Sequence, residues 1–163
     1  MVNKHYGWLA LVALILVGCS GGETSSEAPT SAPKGDVAFA APGGEGATEV
    51  SYTKAELKQG QQLFKANCGR CHVGGQTYGT YGSTDVNLSL EQLSGAVPPR
   101  DNVASLVDYM KKPTSYDGTE NLAEDGGHPV YTELGDEQLK LIAGHMLKEG
   151  KTNPIWGKGK DVR

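Results

Sequence analysis

Two of the three cysteines in this chain stand in Asn67-Cys68-Gly69-Arg70-Cys71-His72, and this is the feature that most limits what the chain can become. C-x-x-C-H is the c-type haem attachment pattern: two thiols add to the vinyl groups of the porphyrin, and the next residue offers an imidazole to the iron. The other uses of paired cysteines each lack something here. A zinc site wants four ligands, and only His128 and His145 remain, far downstream and unpaired. A thioredoxin-like motif wants a βαβ pattern, which is absent. A disulfide would leave His72 unexplained. The reading is therefore one covalent haem c on Cys68 and Cys71, with His72 as proximal iron ligand.

The compartment agrees with that chemistry. Lys4 and His5 precede an uninterrupted apolar run from Trp8 to Val17, too short to span a bilayer comfortably, and the pattern reads as an export signal. Its end, Leu16-Val17-Gly18-Cys19, resembles a bacterial lipobox, implying cleavage before Cys19 and lipid on that residue. With Cys19 lipidated, no thiol is left free. From Ser20 to about Thr48 the chain is rich in Gly, Ser, Pro and Ala and cannot bury enough apolar surface to offset the cost of ordering. It reads as a flexible tether of roughly 30 Å root-mean-square span. The expected organisation is a signal peptide over 1–18, a lipid-anchored linker over 19–49 and a cytochrome c domain over 50–163. The formal charge is −4, and loss of the leader removes only Lys4 from the charged residues, so no nucleic-acid binding is expected.

Within the domain three helices are predicted. Residues 53–70 open on the capping box Thr53-x-x-Glu56 and set Leu57, Gly60, Gln61, Phe64 and Cys68 on one side. A second helix follows Pro98-Pro99-Arg100-Asp101-Asn102, capped by Asp101 or Asn102, with Val103, Leu106, Val107 and Met110 as its apolar stripe and Pro113 as its stop. A third covers 136–149, with Leu139, Ile142, Ala143 and Met146 on one face. Loops fill 73–89 and 113–135. Gly60 permits close approach of another helix and Phe64 fills the space beside it. Gly60 and Phe64, followed by the C-x-x-C-H, resemble the N-terminal helix of class I cytochromes c, with 136–149 as its partner. The fold class implied is all-α and cytochrome c-like, with N- and C-terminal helices crossing over a covalently bound haem and long loops between them.

Four side chains compete for the far side of the iron: Met110, His128, His145 and Met146. Met110 and Met146 share apolar stripes, where methionine is more often filler, and His145 is expected to face solvent or a flank. His128 lies off any helix in Glu-Asp-Gly-Gly-His128-Pro129, where two glycines let the backbone bend, and is the preferred second axial ligand. The other ring nitrogen of His72 needs an acceptor, for which the carbonyl of Pro98 or Pro99 is the candidate.

From about Val50 onward the chain resembles the PsbV family, the extrinsic low-potential cytochrome c of photosystem II. The resemblance rests on CGRCHVGG, PPRDNVASLVDYMKKPTSYDG, HPVY, LKLIAGHMLKEG and WGKGK, in that order. It implies that Cys68 and Cys71 attach the haem, that His72 and His128 are axial ligands, and that the protein acts by binding rather than turnover. The implied setting is the lumenal face of photosystem II, beside the core and other extrinsic subunits, where the family helps retain calcium and chloride and protects the manganese cluster. Two departures stand out: a lipid-anchored tether in place of a plain export signal, and a short segment, Pro129–Gly135, before the last helix. The alternative is a membrane-tethered monohaem electron shuttle serving another redox partner. A haem enzyme would need an open iron position, which a bound His128 denies. Either membrane reading places the protein on the lumenal or periplasmic face of a cyanobacterial photosynthetic membrane.

Overall fold

The computed structural model describes residues 36–78, 86–124 and 126–158. The leader, Cys19 and most of the tether lie outside the described residues. The element order is β1 (Val37–Ala41), β2 (Val50–Thr53), α1 (Lys54–Asn67), a single 3-10 turn (Val73–Gly75), α2 (Leu90–Gly95), α3 (Val103–Lys111) and α4 (Asp136–Thr152).

Helix α1 starts where its capping box predicts. Thr53 Oγ1 accepts from the Glu56 amide at 3.2 Å while Glu56 Oε2 accepts from the Thr53 amide at 2.7 Å, satisfying two otherwise unpaired donors. It ends at Asn67, three residues before the predicted limit, and the chain turns so that the amides of Cys71 and His72 both reach the Cys68 carbonyl, at 3.1 and 2.9 Å. On its inner face Gly60, Phe64 and Cys68 are buried and Leu57 is half-buried, but Gln61 is exposed.

The crossing of α1 over α4 depends on Gly60. A methyl group there would stand 2.1 Å from the Leu141 carbonyl oxygen and 3.3 Å from His145 Cβ, so the two backbones meet where only hydrogen fits. Helix α3 is capped by Asn102, whose Oδ1 accepts from the Ser105 amide at 2.9 Å, and buries the predicted stripe of Val103, Leu106, Val107 and Met110. Helix α4 runs one turn beyond its predicted end, through Gly150 to Thr152. Leu139, Ile142 and Ala143 on its inner face are fully inaccessible to solvent.

Three features depart from the sequence reading. A two-stranded antiparallel sheet joins the helices: β1 pairs with β2, Ala41 opposite Val50 and Phe39 opposite Tyr52. The stretch assigned to the linker therefore enters the fold from Val37. Tyr52 lies against α4 where Gly144 has no side chain, and its hydroxyl donates to the Lys140 carbonyl at 2.9 Å. The loop between the strands accepts at the α3 N-terminus, Val103 N to Pro42 O at 2.9 Å and Ala104 N to Gly43 O at 3.2 Å. Helix α2, opened by Ser89 accepting from the Gln92 amide, falls beyond a segment read as loop. His145, expected on a flank, is 4% exposed. Its ring packs between Phe64 and Trp156 at centroid distances of 5.3 and 5.8 Å, because the turn that follows α4 folds Trp156 back over it.

Candidate haem site

The turn after α1 fixes Cys68, Cys71 and His72. Cys68 is buried and Cys71 half-buried, both as free thiols. Burial pushes the Cys68 thiol up to about 11, so the sulfur sits in an environment suited to an apolar group rather than an ion. Tyr131, anchored through its amide to the Met110 carbonyl at 3.0 Å, donates its hydroxyl to the Asn67 carbonyl at 2.8 Å. It thus ties the loop before α4 to the end of α1.

His72 Nδ1 lies 3.1 Å from the Gln76 carbonyl oxygen, with the Thr77 hydroxyl at 3.3 Å. The expected acceptor at Pro98 or Pro99 is thereby corrected: the 3-10 turn at Val73–Gly75 folds the chain straight back, and a carbonyl four residues on arrives before any distant one. Gly74 and Gly75 make that return possible at φ 61° and 81°. A donated Nδ1 proton fixes the tautomer and leaves the Nε2 lone pair for a metal.

His128 is presented from the loop between α3 and α4. Its amide donates to the Leu122 carbonyl at 3.1 Å, its Nδ1 is 2.8 Å from the Pro129 carbonyl oxygen, and Gly126 takes the left-handed turn, φ 66°, that brings it in. Tyr109 meets the imidazole edge-on with centroids 5.0 Å apart. Arg100, 7% exposed, stacks its guanidinium 4.2 Å from the Tyr109 ring centre and donates to the Thr114 and Ser115 carbonyls at 3.1 and 2.6 Å. Burial lowers the pKa of both histidines, and for His128 the nearby Arg100 charge adds to it. Neutral imidazole is the form that binds iron.

The two imidazole rings stand 6.3 Å apart between centroids with 41° between their planes. A metal bound by two imidazoles needs about 2 Å of metal–nitrogen bond and about 1 Å from nitrogen to ring centre on each side, which is about 6 Å in all. The residues present fit a hexacoordinate haem iron. Met110, Met146 and His145, the other candidates, lie in the buried core. Among the described residues no group of three or more His, Cys, Asp or Glu forms a separate metal centre. The sequence reading gives no role to Arg100, Tyr109, Tyr131 or Gln76; the first three lie in motifs that carry the family resemblance, but their convergence on His128 is tertiary.

Residues 32–163 match the cytochrome c-550 domain family. A relative named cytochrome c-550 2, from Gloeobacter violaceus, is 57% identical over the whole of both chains. Photosystem II extrinsic protein V of a Synechococcus strain is 49% identical over 66% of this chain and 63% of its own, and that of Cyanidium caldarium 45% identical over 64% and 67%. Among solved structures, the PsbV2 cytochrome of Thermosynechococcus elongatus superposes with a TM-score of 0.65 at 38% identity, covering 73% of this chain and 88% of that one. Cytochrome c549 superposes with a TM-score of 0.60 at 36% identity, covering 72% and 95%.

Proposed function

The chain belongs to the cytochrome c-550 family, and on that premise we propose that it is a low-potential, bis-histidine c-type cytochrome serving as an extrinsic subunit of photosystem II. Its cofactor is one covalent haem c, for which Cys68 and Cys71 are the attachment residues. His72 and His128 are the axial ligands; the observation that carries this is their 6.3 Å separation with each Nδ1 already committed to a backbone carbonyl. The bound iron would supply one-electron chemistry. The chain's own residues orient the two imidazoles and partly bury them; with haem bound, His72 and His128 would hold the iron from both sides and leave no open site of the kind turnover needs. The role is structural or electron-transferring rather than enzymatic.

The proposed setting is the lumenal side of photosystem II, in contact with its core and other extrinsic subunits, retaining calcium and chloride and guarding the manganese cluster; the relatives named photosystem II extrinsic protein V support the association with photosystem II. Attachment to the membrane is through lipid on Cys19, and among the described residues no helix is long and apolar enough to cross one. Co-purification of the haem protein with photosystem II cores, and its release by high salt, tests the assignment; a haem protein absent from cores at low salt overturns it.

A second reading has its own support. One relative matched over the whole chain is named cytochrome c-550 2, whereas the extrinsic protein V matches cited above span about two thirds of either chain. The whole-length likeness to a protein not named as a photosystem subunit supports a second reading, a membrane-tethered electron carrier for a different redox partner, and the same fractionation distinguishes the two.

A further inference from the structure

Gln76 is 6% exposed, and its side-chain Nε2 has no hydrogen-bond partner among the described residues. A buried amide donor left unpaired costs about 1–3 kcal/mol, and such groups in folded proteins are nearly always satisfied. Its surroundings narrow the choice of partner. The Gln76 carbonyl already accepts from the His72 side and its amide donates to the Val73 carbonyl at 3.1 Å. The preceding Gly75 is pressed against the Trp156 indole, 2.7 Å from where a methyl group would stand. The Gln76 backbone is therefore held beside the His72 ring, and its carboxamide is shut off from water.

We propose that Gln76 is a positioning residue whose Nε2 donates a hydrogen bond to a propionate carboxylate of the haem. The haem's four pyrrole nitrogens are committed to the iron, so its two carboxylates are the acceptors a neutral N–H donor can use. One residue then acts on the site in two ways, its backbone carbonyl setting the tautomer of His72 and its carboxamide holding the porphyrin edge. Donation to the ionised carboxylate favours that form and keeps its pKa low. An ionised propionate stabilises ferric over ferrous iron, and its protonation raises the midpoint potential.

The inference rests on the bis-histidine haem reading, and its test separates the two. Gln76→Met and the unaltered holoprotein are first compared by absorption spectrum; retention of the two-imidazole spectrum in both shows that ligation is intact. Midpoint potential is then measured against pH. The variant should begin its acid-side rise at higher pH, by on the order of one unit; superimposable curves overturn the proposal. Should Gln76→Met fail to retain haem, selective nitrogen-15 labelling of glutamine in the unaltered protein decides the matter. The Gln76 side-chain amide should carry hyperfine shifts in the ferric state that vanish on reduction, and their absence overturns the proposal.

Discussion

The imidazoles of His72 and His128 stand 6.3 Å apart, centre to centre, although one is fixed by the turn after α1 and the other by the loop between α3 and α4. Each has its Nδ1 tied to a carbonyl within four residues, so each element orients its own ring before the two are brought together. A second imidazole favours ferric iron, whereas a thioether favours ferrous. His128→Met should raise the midpoint potential by on the order of 100 mV or more, and the ferric variant should gain a weak near-infrared sulfur-to-iron band that the native protein should lack. A native protein that already shows the band would make Met110 the ligand.

Covalent attachment has a direct chemical readout. Replacing Cys68 and Cys71 together by Ser should abolish haem-dependent peroxidase staining of the denatured band. Staining that survives would contradict thioether attachment.

Gly60→Ala places a methyl 2.1 Å from the Leu141 carbonyl oxygen, and backbone cannot rotate away as a side chain can. The crossing of α1 over α4 must open, at a cost of about 2 kcal/mol or more in chemical denaturation. Gly135→Ala, which meets nothing within 4 Å, should cost less than about 1 kcal/mol.

His145 gives the fold a pH dependence of definite sign. Burial lowers its pKa from 6.5, with Glu149 opposing and Lys148 and Lys65 adding to the effect. As pH falls below 6.5 the unfolded chain takes up a proton that the folded chain refuses, so stability is complete above that value and declines on acidification. His145→Leu should remove this part of the acid loss, the gap between the two denaturation curves changing by no more than about 1.4 kcal/mol per pH unit. Parallel curves from pH 7.5 to 5 would show that His145 carries no such linkage.

Lipid on Cys19 should make the native protein partition into detergent, and Cys19→Ala should leave it in the aqueous phase or block processing. Equal partitioning of both forms would remove the anchor.

The sequence by itself determined whatever is encoded within a few residues: the Cys68-Cys71-His72 attachment motif, the capping box at Thr53 and Glu56, the buried stripe of α3, and the glycine at which α1 would be crossed. Those signals are local because capping, helical periodicity and haem ligation spacing all act over one or two turns. Only the tertiary structure decided the rest. Strand β1 looked like tether because its stability comes from pairing with β2, which itself docks through Tyr52 on α4 beside Gly144. His145 looked exposed because the Trp156 that covers it arrives from beyond the helix end. His72 found its acceptor at Gln76 because two glycines with positive φ turn the chain back. The Arg100–Tyr109–His128 stack joins residues from separate segments, a convergence that exists only once packing of α3 and the following loop has removed water from between them.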